Sequence, residues 1–220
     1  MLLDFGMMGK YMPYLFRSLQ VTLQLTAASL LLGILLAIPL SLIKLSRFRA
    51  VRAVGTFYTS IFRGVPLLVQ IFIVYFGLPQ FGLTMDAFQA GCVTFALNSA
   101  AYISESLRGG IMAVDAGQRE AAMALGISYG KTMKDIIFPQ AIKSVMPSLV
   151  NEFIGLLKNT TLISTIGLVD VLRAAQMIVS DTFRAFEPLL TAAVFYYVMV
   201  MAISFLGKKL EKWVNKSDLR

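Results

Sequence analysis

The sequence predicts an all-α integral membrane protein of five transmembrane helices joined by a structured cytoplasmic loop. Three observations predict it. Hydrophobic residues make up 57% of the chain and charged residues 15%, with a mean hydropathy of +0.74, well outside the composition of soluble domains. Apolar runs long enough to cross a bilayer recur along its length. Between those runs the basic residues cluster, five in Lys44–Arg63, five in Arg108–Lys143 and five in Lys208–Arg220. This alternation is the positive-inside pattern, and it puts the N-terminus outside and the C-terminus in the cytoplasm. The net charge of +8 therefore reads as topology, not as a nucleic-acid footprint. By length, residues 1–220 are expected to form one domain.

The same composition excludes several chemistries. A chain with no His and one Cys, Cys92, has no His or Cys metal cluster and no internal disulfide. Cys92 lies in an apolar run and reads as a small packed residue. No nucleophile–base set is evident, so the chain is not expected to be an enzyme. The first apolar run is too long for the core of a signal peptide.

The elements follow in order. Residues 1–17, with Asp4, Lys10, Pro13 and Arg17, read as an interfacial lead-in on the outer side. Residues 18–43 carry no charge and form the first span, kinked near its inner end by Pro39. Gly33 and Ala37 are a small-xxx-small pair that lets a neighbouring helix approach. Lys44–Arg52 is a basic inner loop. The second span, about Val54–Leu78, contains Gly64 and Pro66, which predict a kink compensated by neighbours. After an outer turn the third span covers about Asp86–Leu107. Its second half is polar on one side, with Asn98 and Ser99 deep and Glu105 and Arg108 spaced to pair at the inner surface.

The stretch Glu120–Ala141 is the longest moderately polar one between hydrophobic runs. Asp115 can cap a short helix, with Gln118 three residues on as a capping-box variant. Glu120 lies in its first turn, where the helix dipole favours an anion. Ala121, Ala122 and Ala124 give helix propensity and a slim profile. Gly126 fits a left-handed helix end. Ser128 can cap a second helix, which Pro139 stops or kinks. The run from Gly126 to Thr132 imitates a phosphate-binding loop, but it has three residues between its glycines where the motif needs four. This chain is not expected to hydrolyse ATP.

The fourth span, about Ser144–Leu168, carries Glu152, Lys158 and Asn159. Gly167–Glu187 is an outer segment with a short amphipathic helix. The fifth span, about Pro188–Leu206, is stopped inside by Lys208 and Lys209, and an amphipathic tail follows. Glu152 lies about 12 Å into its span at 1.5 Å per residue, where a carboxylate usually faces a cavity with a partner. Asn159, seven residues on, shares its face. One reading is packing, with Lys158 snorkelling outward. The other is a midplane pocket for a zwitterion, in which Glu152 faces an ammonium or cationic side chain and Asn98, Ser99 and Lys158 serve a carboxylate. A carboxylate with no fixed counter-charge ranks arginine, lysine or histidine above glutamine.

Glu120-Ala121-Ala122, then Gly126, then Ile136 and Phe138-Pro139 resemble the EAA loop of the membrane permeases of binding-protein-dependent ABC importers. Phe138 stands where that family usually has Leu. Arg63-Gly-Val-Pro-Leu-Leu-Val-Gln70 and the stretch from Asn151 to Ile163 are similar to the polar amino acid branch, of the histidine/glutamine/arginine type. The resemblance implies a type I ABC importer permease fold. It also implies that Glu120, Ala121, Ala122 and Gly126 couple to a cleft on a cytoplasmic ATPase dimer. The implied partners are that dimer, a second permease subunit (identical or a close paralogue) and an extracytoplasmic solute-binding protein. No cofactor is implied in this chain, since ATP would be bound by the ATPase. A secondary transporter or channel for small polar solutes would also carry polar intramembrane residues. It would have no use for an EAA loop, and the chain shows no inverted repeat.

Overall fold

The computed structural model describes residues 3–215, and among them every regular element is helical. A 3₁₀ turn, Gly6–Tyr11, leads into α1 (Met12–Lys44). Then come α2 (Arg49–Gly64), α3 (Leu67–Phe72) and α4 (Ala87–Ala113). The segment after α4 contains α5 (Ala116–Ala124) and the short α6 (Tyr129–Lys131). The chain continues through α7 (Phe138–Asn159), α8 (Val171–Thr182) and α9 (Phe186–Asn215).

Among the described residues, two helices are long and apolar enough to cross a bilayer, Gly6–Lys44 and Phe186–Val214. Two bent pairs, Arg49–Gly64 with Leu67–Phe81 and Tyr129–Ile166 with Val171–Thr182, reach that standard together. Length and apolarity alone thus give two to four spans where the sequence led us to expect five. Helix α4 falls short because its polar side chains are core residues. Thr94, Asn98, Ser99 and Ser104 are all buried on it.

Of these, the Thr94 and Ser104 hydroxyls are satisfied within α4. Thr94 donates to the Ala90 carbonyl at 2.7 Å, and Thr22 and Thr26 on α1 do the same to Ser18 and Thr22 at 3.0 and 2.7 Å. A hydroxyl bonded to its own helix adds little desolvation cost and keeps the side chain slim. The expected close contact forms at Gly33, where an added Cβ would lie 3.1 Å from Ser99 Cβ and 3.3 Å from the Ala96 carbonyl. Ala37 packs in the same seam with Ala100 and Ile103. Cys92 is buried in the cluster that joins α1, α4 and the 3₁₀ segment Thr160–Ile166.

The second span departs from a kink. Its two parts, α2 and the helical segment from Leu67, meet at 102°. Val65 is extended, at φ −95° and ψ 133°, because the residue before a proline is pushed out of the helical region. Two carbonyls at the break, those of Phe62 and Val65, are taken by side chains. Gln70 Nε2 donates to Phe62 O at 3.0 Å and Val65 O at 2.8 Å, and Asn98 Nδ2 donates to Phe62 O at 2.8 Å.

Toward the C-terminal end of α4, Glu105 Oε2 accepts from Arg108 Nε at 2.9 Å, the pair expected from spacing. Glu105 also binds Lys44, which the sequence placed in a loop. Lys44 instead ends α1, is 6% exposed, and donates to Thr59 Oγ1 at 3.0 Å. Pro139 does not stop the helix: the chain is helical from Tyr129 to Ile166, with a π segment, Thr132–Ile137, directly before the proline.

Candidate functional site

Two sites were expected, a coupling loop and an intramembrane pocket. In the loop, Asp115 caps α5, its carboxylate accepting from Gly117 N at 2.7 Å. The reciprocal bond from Gln118 that a capping box needs is absent among the described residues. At the other end Gly126 has φ +70°. Its N–H donates to the Met123 carbonyl at 3.0 Å, and Ile127 N–H reaches back to the Ala122 carbonyl at 2.9 Å. This pair of bonds is a Schellman closure, which requires the left-handed residue between them. Ala122 is buried, whereas Glu120 and Ala121 face outward. Ser128 occupies the N-cap of α6 but makes no side-chain cap bond. Met123, Leu125 and Tyr129 stand 68%, 78% and 76% exposed around this turn, a small apolar platform on an otherwise polar loop.

A cavity of about 360 Å³ lies where the α2–α3 corner meets α4 and α7. Its walls include Arg63, Pro66, Asn98, Tyr102, Glu152 and Asn159. Glu152 Oε1 accepts a hydrogen bond from Ser99 Oγ at 2.8 Å and forms no ion pair among the described residues. An acid held by one neutral donor in a cavity wall retains most of its capacity to accept from a ligand.

The structure brings together four of the five residues expected there. Asn98, Glu152 and Asn159 line the cavity, and Ser99 touches it through Glu152. Lys158 is exposed and is not part of the wall. Asn98 is more committed than its sequence position suggests. Its amide donates to Phe62 O and also to Gln70 Oε1 at 3.2 Å, so both N–H groups are used, and only its carbonyl oxygen remains to offer a ligand. Sequence reasoning did not single out Gln70 or Arg63 as site residues. Pro66 could have pointed to Gln70, because a proline inside a span frees carbonyls that some buried donor must satisfy.

A family model described as the binding-protein-dependent transport system inner membrane component matches residues 29–216. The arginine transport system permease protein ArtQ of Bacillus subtilis (strain 168) is 46% identical over 217 residues, 98% of this chain and 99% of that protein. The crystal structure of an amino acid ABC transporter with histidines superposes at a TM-score of 0.91 and 42% identity, covering 96% of this chain and 99% of that one. The inward-facing MetNI methionine ABC transporter superposes at 0.82 over 93% of this chain and 98% of that one, but at 19% identity the likeness is one of fold.

Proposed function

The chain belongs to the family of binding-protein-dependent transport system inner membrane components, and we propose that as a permease subunit of an ABC importer it carries a basic amino acid. One observation carries the substrate class. Glu152 faces a cavity with a neutral hydroxyl as its partner and forms no ion pair among the described residues. A guanidinium, ammonium or imidazolium entering the cavity supplies the missing charge, and a membrane-buried acid is costly until it is supplied. Asn98 Oδ1 and Asn159 add neutral polar surface.

The remaining assignments rest on the family and on charge placement. The spans are α1, the bent α2–α3 unit, α4, α7 and α9, with the N-terminus outside and the C-terminus cytoplasmic. Residues 1–220 act as one permease domain. It pairs with a second permease subunit and receives substrate from an extracytoplasmic binding protein. The turn from Glu120 through Ala121, Ala122 and Gly126 docks on an ATPase subunit. That subunit binds the ATP, and this chain needs no cofactor of its own. ATPase closure draws the docked turn inward, and the cavity changes from inward-open to outward-open.

Reconstitution of the permease with its ATPase and binding protein in liposomes tests this. Uptake of arginine, lysine or histidine should depend on internal ATP and exceed that of glutamine. Equal uptake of acidic and basic amino acids would remove the substrate assignment.

A further inference from the structure

Glu152 is not the only charge in the cavity wall. Arg63, at the end of α2, lines it as well, with its guanidinium 5.4 Å from the centroid of the Tyr102 ring. Its nearest acid is Glu105, 3.9 Å from Nη1, which lies beyond hydrogen-bonding distance. Glu105 is already held by Lys44 and Arg108. Arg63 therefore donates no hydrogen bond among the described residues, and its side chain is 48% exposed. A guanidinium stays charged at any physiological pH, and its planar N–H fork matches a carboxylate. The cation–π contact with Tyr102 places the guanidinium at the cavity wall without using any of its N–H donors.

The cavity thus presents an acid on α7 and a base on α2, neither hydrogen-bonded to an opposite charge. An α-amino acid brings one carboxylate and at least one cation. We propose that Arg63 receives the substrate's α-carboxylate and so selects an amino acid over the corresponding amine. Arg63 and Tyr102 also line a second cavity, of about 450 Å³, on the Glu105 side. The carboxylate is therefore gripped at the junction of the two spaces. This assignment rests on the reading of the Glu152 cavity as the substrate site.

The test uses the purified permease–ATPase complex without binding protein, so that delivery does not filter the ligand. Equilibrium dialysis measures binding of L-arginine and of agmatine, its decarboxylated form, with gel filtration confirming assembly of each variant. The wild-type complex should bind arginine about tenfold or more tighter than agmatine, the scale of a charge-assisted bidentate contact. Arg63→Gln should erase that difference by weakening arginine while leaving agmatine unchanged, and Arg63→Lys should restore part of it. Equal weakening of both ligands, no weakening of either, or no preference in the wild type would overturn the assignment. Glu152→Gln separates the two ideas. If it loses both ligands while Arg63→Gln loses neither, only the role of Arg63 falls. If it binds both as the wild type does, or if the wild type binds neither, the cavity reading falls and Arg63 with it.

Discussion

Ser99 Oγ donates to Glu152 Oε1 at 2.8 Å, a bond between two helices that pack along much of their length. It gives the carboxylate a fixed direction without cancelling its charge. Glu152→Gln keeps the shape and removes the charge. In proteoliposomes it should lower uptake of basic amino acids by about tenfold or more, the scale of a lost charge-assisted bond. Basal ATP turnover and binding-protein docking should persist. Unchanged uptake of every amino acid would reduce Glu152 to a packing residue.

Gly126 has nothing within 4 Å of an added Cβ, so substitution there is limited by backbone conformation and not by space. A β-branched residue is poorly tolerated at φ +70°. Gly126→Val should leave the subunit folded in the membrane yet abolish ATP-driven uptake, because the Schellman closure opens. Gly126→Asn, which accepts the left-handed region, should retain most of the transport. Normal uptake by the valine variant would show that this turn does not couple to the ATPase.

The topology can be read with thiol chemistry. A cysteine at position 128 should resist an impermeant reagent applied to intact cells and react once the membrane is opened. One at position 180, on the exposed face of α8, should react from outside. Labelling of position 128 from outside would invert the orientation deduced from the basic clusters.

Lys44 and Glu105 differ in what each leaves behind. Lys44→Met leaves Glu105 with Arg108, and the Glu105 side chain is 24% exposed. Glu105→Gln leaves a nearly buried ammonium with only the Thr59 hydroxyl and the new amide. Removing one member of a buried pair costs about 3–5 kcal/mol. Thermal unfolding in detergent should therefore show Glu105→Gln the less stable of the two single variants. The double variant should recover part of the loss. A lower midpoint for Lys44→Met would contradict the geometry.

The parts of the fold legible in the sequence are those set by local rules. A left-handed helix end selected Gly126, three-residue spacing paired Glu105 with Arg108, and small residues marked the seam at Gly33 and Ala37. What escaped was set by partners distant in sequence. Lys44 looked like one more loop cation, because nothing nearby reveals that Glu105 and Thr59 await it. The break at Pro66 was visible, but its angle depends on Asn98, which lies on another helix. Asn98 was singled out for its depth in the third span, whereas the commitment of both its N–H groups follows only from the fold. Pro139 was read as a stop or a kink, and the helix runs on through it with the π segment Thr132–Ile137 beside it.

The corner between α2 and α3 has a mechanical consequence. Its open carbonyls are held by Gln70 and by Asn98 of α4, so the angle is braced from outside the bend and its tip is carried by α4. Glu152 and Asn159 ride on α7. Opposite walls of the cavity therefore belong to different levers, and its width is set by the angle between them. Across that space the levers share a clasp, the Ser99–Glu152 bond, which a cation arriving at Glu152 can replace without leaving the acid bare.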